Sequence, residues 1–247
     1  MISNLINKKN IFFGFIVLLI VVLAAAFFFC CVLNNKQSEK RNKLSNSLGS
    51  TDVRNSKSEE LKAMRPLDST DHIDGDINAP VQIIFYGDFD CPFCANFYET
   101  LNQVKSEFKD KVVIGFRHYP MRTHDMALTA ALASECASEQ NKFWEMYAKL
   151  FSNKKADELN IDQLTMDAKD LGLNADDFKR CLDDEKYKER VQNQWQGGKE
   201  SGIIGTPGIV VNGEQIAGAK PFEDYVDQNG NKQAGLKSII DKHLQDK

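Results

Sequence analysis

The sequence has few of the residues that mark fibrous, disordered or nucleic-acid-binding chains. It contains only 15 glycines and 6 prolines among 247 residues, too few for a collagen-like or low-complexity chain. It has no basic run with interleaved aromatics, and beyond residue 33 there are 29 Lys and Arg against 35 Asp and Glu. This acidic balance argues against binding of nucleic acid through charge. With 42% hydrophobic residues, the chain is expected to form one folded domain with appendages.

Charge is absent from one long apolar stretch, residues 11–33. About 20 such residues suffice to cross the hydrocarbon core of a membrane as a helix. The sequence therefore predicts a single-pass transmembrane helix, a signal anchor, in the cell membrane. The short acid-free tail before it favours an orientation with the C-terminal part on the periplasmic, extracytoplasmic side. Cleavage as a signal peptide near Ala24–Ala26 is the alternative, and it would release the protein into the periplasm.

Composition divides the chain into four segments. A polar stretch rich in Ser, Asn and Lys follows the apolar one and lacks sustained periodicity, which is typical of a flexible spacer. The predicted segments are an N-terminal tail at residues 1–10, the transmembrane helix at 11–33, a flexible linker at 34–70 and a folded domain at 71–247.

The periodicity of the folded part indicates an α/β fold. A β-rich run at Val81–Tyr86 is followed by apolar residues at helical spacing and then by a second β-rich run at Lys111–Phe116. This order predicts a β-α-β unit whose two strands are parallel.

A helical insert is predicted from about residue 123 to residue 202. It is expected to contain three or four helices, two of them N-capped by Asn160 and Asn174. The last predicted elements are a β-hairpin of residues 208–211 and 214–217 around the Asn212-Gly213 turn, and a closing helix at 236–244.

Two cysteines, Cys91 and Cys94, lie where the first helix is expected to begin. Unpaired N–H groups and the helix dipole lower the pKa of a thiol at that position, so Cys91 is the expected nucleophile. Cys94 lies one turn further on the same face and is the expected buried resolving thiol. A redox-silent disulfide or half of a zinc site are the alternatives. Zinc would need two more ligands, and Cys136 and Cys181 form no second CxxC motif, so no metal site is predicted.

Three motifs together carry a resemblance to a known family. The segment YGDFDCPFCANFY at Tyr86–Tyr98, the GTP at Gly205–Pro207 and the Asn-Gly hairpin beyond it resemble the DsbA-like thiol-disulfide oxidoreductases of the thioredoxin superfamily. The resemblance covers about residues 71–247. It implies a thioredoxin-like α/β fold with an inserted helical domain, here preceded by the transmembrane helix and the flexible linker.

The resemblance also implies roles for residues outside the CxxC motif. Pro207 is expected to follow a cis peptide bond and to face the two cysteines. Thr206, just before it, is expected to bind substrate by pairing its backbone with an extended segment. Cys136 and Cys181 are expected to form a structural disulfide, as in some relatives, and two buried free thiols are the alternative.

The expected activity is thiol-disulfide exchange outside the cytoplasm, in which the Cys91–Cys94 disulfide is donated to reduced, folding substrate proteins. Such transfer is useful in an oxidising compartment, and it requires no organic or metal cofactor. The resemblance implies a quinone-linked membrane reoxidase of the DsbB type as a partner. A disulfide isomerase or reductase using the same cysteines is one alternative. A redox-silent binding or chaperone module is another.

Phe85 departs from the pattern of the resembled family. Many of its members carry an acidic residue six positions before the first cysteine, where a buried carboxylate can relay the proton of the resolving thiol. Phenylalanine cannot do this. Asp88 and Asp90 are nearer in sequence and are expected in an exposed loop, where their charge raises the pKa of Cys91 somewhat. His118 and His124 are expected to be loop and helix-start residues rather than metal ligands or bases.

Overall fold

The computed structural model describes residues 61–246, and a five-stranded sheet lies at the centre of this part. Its strands are β1 (His72–Asp74), β2 (Val81–Gly87), β3 (Val112–His118), β4 (Gly208–Val211) and β5 (Glu214–Ile216). Their spatial order is β1-β3-β2-β4-β5, with β2 and β3 parallel and the other pairs antiparallel. Two short strands, β6 (Tyr225–Val226) and β7 (Lys232–Gln233), form a separate hairpin that the sequence did not predict.

Helices cover the sheet and form the insert. They are α1 (Pro92–Phe108), α2 (Ala127–Ser138), α3 (Phe143–Ala156), α4 (Ile161–Asp170), α5 (Ala175–Asp183), α6 (Lys188–Glu200) and α7 (Leu236–Gln245). Helix α1 connects the parallel strands β2 and β3, so the predicted β-α-β unit is confirmed. The predicted thioredoxin-like α/β fold with a helical insert between β3 and β4 is also confirmed.

The insert contains five helices, α2 to α6, rather than the three or four predicted. Helices α2 and α3 are separate because Asn141, between them, adopts a positive φ of 58°, which an α-helix does not tolerate. The two predicted N-caps are confirmed: the Asn160 side chain accepts from the Gln163 N–H, and Asn174 accepts from the N–H groups of the first turn of α5. Five shorter helices, two of them capped by these asparagines, therefore replace the fewer helices expected.

The hairpin β4–β5 follows from its turn residues. Asn212 and Gly213 have φ values of 47° and 88°, the conformation that a two-residue hairpin turn requires and that Asn-Gly readily adopts. The turn brings β5 back beside β4 as the edge strand of the sheet, and β4 pairs with β2 on its other side.

Strand β2 is buried on both faces, as expected for a central strand with a parallel partner. Phe85 lies on the face covered by helices and is fully buried. Its ring contacts those of Phe97, Phe116 and Phe151 at centroid distances of 5.2, 5.4 and 6.1 Å. The next residue, Tyr86, points to the opposite face and belongs to a second, smaller cluster. Full burial of an aromatic side chain contributes about 1.5–3 kcal/mol to the stability of the fold. Phe85 is therefore part of the hydrophobic core.

The compact unit of the described residues starts at Leu61, within the stretch that the sequence predicts to be a linker. Within residues 61–70, which were assigned to the flexible linker, Leu67 is 7% exposed and packs on the sheet. It approaches Gly115 so closely that a Cβ there would lie 2.1 Å from a Leu67 methyl carbon. A glycine in the middle of β3 thus accommodates this segment.

The predicted tail at 1–10, the predicted transmembrane helix at 11–33 and the remaining linker, 34–60, lie outside the described residues. Within residues 61–246, no helix is both long enough and apolar enough to cross a membrane.

Candidate active site

Cys91 lies at the junction of the β-α-β unit. It is the N-cap of α1, its N–H donates to the Asp88 carbonyl at 3.1 Å, and Pro92 occupies the first turn. Proline is well tolerated there because no intrahelical N–H bond is lost. The chain therefore leaves β2, turns once and places the Cys91 sulfur at the positive end of a 17-residue helix.

The surroundings of Cys91 favour its thiolate. Its pKa is lowered from 9.0 to about 6, chiefly by the hydrogen bond from the Cys94 side chain. Burial acts in the opposite direction, and a hydrogen bond from the Thr206 side chain adds to the lowering, as do those from the backbone N–H groups of Cys94 and Phe93. A thiol with such a pKa is largely ionised near neutral pH and is a ready nucleophile.

Cys94 has the opposite character. It is fully buried, and burial raises its pKa well above the usual value of 9.0. The hydrogen bond and the charge of Cys91 raise it further. The two cysteines thus differ in character: the surroundings favour the thiolate of Cys91 and the protonated thiol of Cys94.

The segment before β4 faces these cysteines. The Thr206–Pro207 peptide bond is cis, and the Cys91 thiol donates to the Thr206 carbonyl oxygen at 3.5 Å. The long-range packing of β4 beside β2 brings Thr206 to this position. The structure therefore brings together the four residues that the sequence assigns to catalysis and substrate binding, which are Cys91, Cys94, Thr206 and Pro207.

An apolar groove of about 610 Å³ runs beside this site. Thr206 and Pro207 form part of its wall, with Ile203, Ile209 and Ile216. Phe93 and Ile204 also border it, and they are 63% and 95% exposed. Large exposed apolar side chains next to a reactive thiol are typical of a binding surface.

Asp88 is not in an exposed loop as predicted. It is 1% exposed. Its carboxylate accepts from the N–H groups of Asp90 and Met121 at 2.8 and 2.9 Å and contacts Nδ1 of His124 at 2.7 Å. Asp90 is half-buried and pairs with Lys154 at 2.8 Å. The prediction was wrong because the turn after β2 is covered by the loop that follows β3, a contact between residues distant in sequence.

His118 also differs from expectation. It lies in β3 rather than in a loop, is fully buried, and its Nε2 contacts Oε1 of Glu135 at 2.9 Å. The same oxygen contacts His72 Nε2 at 2.8 Å and Arg190 Nε at 2.8 Å. Burial raises the pKa of Glu135, but the hydrogen bonds and charges of His118 and His72 outweigh it and hold the pKa well below its usual range.

The sequence does not indicate this cluster, since nothing in the spacing of His72 and Glu135 marks them as neighbours. Two imidazoles and a carboxylate are ligand types that a metal ion accepts. The Arg190 guanidinium, however, donates to the same Glu135 oxygen, so a cation placed there would meet a positive charge. The cluster is therefore best described as structural: contacts to the Glu135 carboxylate connect β1, β3, α2 and α6.

A disulfide joins Cys136 of α2 to Cys181 of α5, with an S–S distance of 2.01 Å and a Cα–Cα distance of 5.8 Å. This is the pairing that the resemblance implied. It crosslinks two helices of the insert and leaves Cys91 and Cys94 as the free cysteines of the described part.

These features define a thioredoxin-like fold with a CxxC motif at the start of its first long helix and a cis proline opposite it. The sequence matches the thioredoxin family over residues 67–228. This chain therefore belongs to the thioredoxin family.

Solved structures share the fold. Oxidised BdbD from Bacillus subtilis superposes with a TM-score of 0.62 and 24% identity, over 75% of this chain and 98% of BdbD. The alpha-DsbA1 protein of Wolbachia pipientis gives a TM-score of 0.57 and 24% identity, over 76% of this chain and 96% of that one.

Curated relatives are longer proteins. The Na(+)/H(+) antiporter NhaA 1 of Mycolicibacterium gilvum is 33% identical over 162 residues, which is 64% of this chain and 26% of the antiporter. The protein of the same name from Salinispora arenicola is 33% identical over 165 residues, or 66% and 25%. This chain thus spans about a quarter of the length of these relatives.

Proposed function

We propose that this protein is an extracytoplasmic thiol-disulfide oxidoreductase that donates the Cys91–Cys94 disulfide to reduced proteins. The observation that carries the proposal is the contrast between the two thiols: Cys91 is stabilised as a thiolate, and Cys94 is buried and protonated. A stabilised thiolate favours the reduced form of the pair, so its disulfide is a stronger oxidant. This contrast favours donation over reduction.

Each step of the exchange uses these groups. A substrate thiolate attacks the Cys91 sulfur of the oxidised pair, the Cys91–Cys94 bond breaks, and Cys94 takes the electron pair and a proton. A second substrate thiolate then attacks the substrate sulfur of the mixed disulfide, and Cys91 leaves as the stabilised thiolate. The substrate is oxidised by two electrons, and the CxxC pair is reduced by two.

The groove supports protein substrates. Thr206 lines it and contacts Cys91 through its carbonyl oxygen, so an extended segment bound there would present its own thiol to the Cys91 sulfur. Exposed Phe93 and Ile204 suit an unfolded chain that still exposes apolar residues.

The Cys136–Cys181 bridge supports a location outside the cytoplasm, because structural disulfides persist in oxidising compartments. The uncharged stretch 11–33 would tether the domain to the membrane, with the cleaved periplasmic form as the alternative. A quinone-linked reoxidase of the DsbB type would restore the disulfide, and this part of the proposal rests on the resemblance alone.

Oxidation of a reduced, unfolded ribonuclease by the full oxidised chain tests the proposal. Cys91→Ser is expected to abolish the reaction. Cys94→Ser, with Cys91 oxidised by a small aromatic disulfide, is expected to accumulate a mixed disulfide with the substrate. Cys30→Ser with Cys31→Ser is the matched control and should leave the rate unchanged. A Cys91→Ser chain that oxidises the ribonuclease as fast as the unmutated chain would overturn the proposal.

The reduction potential separates a disulfide donor or isomerase from a reductase. Equilibrium with glutathione should place the pair between roughly −120 and −180 mV, in the range of disulfide donors and isomerases. A value near roughly −270 mV would indicate a reductase instead. The absence of any exchange would favour a redox-silent binding module.

A further inference from the structure

The loop that follows α6 forms one wall of the apolar groove, and we refer to its residues 203–206 as the groove loop. The loop begins in the protein interior. Ile203 is buried and belongs to the smaller core cluster, together with Tyr86 and Tyr119. The next residue, Ile204, is 95% exposed at the groove. The chain therefore passes from a buried residue to the groove surface within one position.

Three contacts fix Ile203 in place. Its N–H donates to the Gly198 carbonyl oxygen at 2.9 Å. Its side chain packs on Gly208 so closely that a Cβ on this glycine would lie 2.7 Å from Ile203 Cγ2. Its carbonyl oxygen accepts from the Tyr119 hydroxyl at 2.6 Å. The first two partners lie within a few positions of the loop, whereas Tyr119 is 84 positions away.

Tyr119 connects the two sides of the active site. Its backbone N–H donates at 2.8 Å to the carbonyl oxygen of Gly87, the last residue of the strand that leads to Cys91. Its hydroxyl holds the loop that leads from Ile203 to Thr206. Burial raises the pKa of Tyr119 above its usual value of 10.0, so the hydroxyl keeps its proton at neutral pH and acts as a donor. One buried residue thus bonds to both segments that meet at the nucleophile.

Other side chains hold neighbouring positions but not the groove loop. Gln215 on β5 donates from Nε2 to the Ser201 carbonyl oxygen at 2.6 Å. Lys62 pairs with Glu200 at 2.7 Å. Ser201 and Glu200 are the end of α6, before the loop begins. Among the hydrogen bonds of the described residues, the one from Tyr119 therefore fixes the buried end of the loop itself.

We propose that Tyr119 is a positioning residue for substrate. Its hydroxyl holds the groove loop in the conformation in which Ile204 and the Thr206 backbone receive an extended substrate segment beside Cys91. The inference rests on the proposed function. Because Tyr119 acts through the loop, loss of its hydroxyl should weaken the binding of a substrate segment. It should not change the reaction of the Cys91–Cys94 disulfide with a small thiol, which does not need the groove.

Single-turnover oxidation of a reduced peptide tests this role. The peptide carries two cysteines with apolar neighbours and is mixed in excess with the full chain, in which Cys30 and Cys31 are replaced by Ser and Cys91–Cys94 is oxidised. Two peptide thiols form one disulfide as the Cys91–Cys94 disulfide becomes two thiols, so no further oxidant is needed. Acid quenching and thiol alkylation give the half-saturating peptide concentration and the limiting rate. Reduction of the same oxidised chain by dithiothreitol gives the rate that is independent of the groove.

Tyr119→Phe keeps the ring and removes the hydroxyl. It is expected to raise the half-saturating peptide concentration about two- to tenfold, the range that corresponds to one hydrogen bond. The limiting rate and the rate with dithiothreitol should stay near those of the unmutated chain. Tyr86→Phe is the matched control, because it removes a buried hydroxyl of the same cluster that contacts Met64 and Arg117 instead of the loop. It should leave the half-saturating concentration unchanged.

A double-substitution cycle distinguishes positioning from a general loss of stability. Tyr119 is proposed to act by placing the loop that carries Ile204, so the effects of Tyr119→Phe and Ile204→Ser should not be independent. The chain with both substitutions should raise the half-saturating concentration by less than the product of the two single effects. Denaturation in urea verifies that each variant is folded under the conditions of the assay.

The outcomes separate the two proposals. If the unmutated chain oxidises the peptide and Tyr119→Phe has the same half-saturating concentration, the role of Tyr119 is overturned while the proposed function stands. An equal rise in Tyr86→Phe would also overturn it, because a general loosening of the cluster would then explain the effect. Effects of Tyr119→Phe and Ile204→Ser that multiply would show that Tyr119 does not act through the loop. If the unmutated chain does not oxidise the peptide, the proposed function fails and this inference fails with it.

Discussion

The Cys91 thiol donates to the carbonyl oxygen of Thr206 at 3.5 Å, although the two residues are 115 positions apart in the chain. Cys91 belongs to the start of α1, and Thr206 precedes β4. The pairing of β4 with β2 brings them together. This contact places the nucleophile against the wall of the apolar groove.

The reactivity of Cys91 should titrate with a midpoint near 6, the value to which its pKa is lowered. Below that pH the sulfur is protonated and alkylation by iodoacetamide slows. Above it the rate reaches a plateau. Because the hydrogen bond from Cys94 is the largest cause of the lowering, Cys94→Ala should move the midpoint up towards 9.0. A midpoint near 9.0 in the unmutated chain would contradict the assignment.

Ile204 should contribute to the binding of apolar substrate segments. It is 95% exposed at the groove, and partial burial of such a side chain is worth about 1 kcal/mol, or roughly fivefold in affinity. Ile204→Ser should raise KM for a reduced peptide with apolar residues next to its cysteine and leave the Cys91 titration unchanged. Met166→Ser removes an exposed apolar side chain outside the groove and is the control. Equal effects from the two variants would argue against a groove-specific role.

Asp71 should be important for stability. Its carboxylate pairs with the buried Arg117 guanidinium through Nε at 2.8 Å and Nη2 at 2.9 Å. Asp71→Ala leaves this charge unpaired and should cost about 3–5 kcal/mol in the free energy of unfolding, measured by denaturation in urea. Lys62→Ala breaks the exposed pair with Glu200 and should cost under about 1 kcal/mol.

The contribution of Asp71 should also depend on pH. Burial raises its pKa, but Arg117 and Arg65 outweigh this and lower the pKa below 3.8. A carboxylate with a lowered pKa contributes stability that is present above its unfolded pKa and lost as the pH falls through the folded pKa. The difference between the unmutated chain and Asp71→Ala should therefore shrink in acid. A difference that stays constant down to pH 2 would contradict this.

Removal of the Cys136–Cys181 bridge should destabilise the insert. The bridge closes a loop of 45 residues, and the loss of that constraint on the unfolded chain corresponds to about 4 kcal/mol in the chain-entropy view. The double substitution Cys136→Ala and Cys181→Ala should lower the free energy of unfolding by several kcal/mol. Thermal denaturation of the oxidised native chain, with Cys30→Ser and Cys31→Ser as the control, measures the effect. Equal stability would show that packing alone holds α2 and α5 together.

The local features of the fold were predictable from the sequence. The β-α-β unit follows from a change of periodicity, the helix starts at Asn160 and Asn174 from side chains that accept N–H groups, and the hairpin from Asn212-Gly213. The five-helix count was missed because the break at Asn141 depends on a single positive φ.

The different characters of Cys91 and Cys94 were also predictable, because they too depend on neighbours within a few positions. The difference between Cys91 and Cys94 arises from their places on one helix, the first at its N-cap and the second one turn inside. The contact with Thr206 was expected only through the resemblance, because no periodicity in the sequence indicates which distant loop will face α1.

By itself the sequence determined which residues can do chemistry and which short segments form helices, strands and turns, since these depend on neighbours within a few positions. The tertiary structure decided how those segments meet. It buried Asp88 beneath the loop after β3, gathered His72, His118 and Arg190 around one oxygen of Glu135, and packed Leu67 on the sheet. Each of these contacts joins residues far apart in the chain, and burial, which sets the protonation of such groups, exists only once the chain is packed.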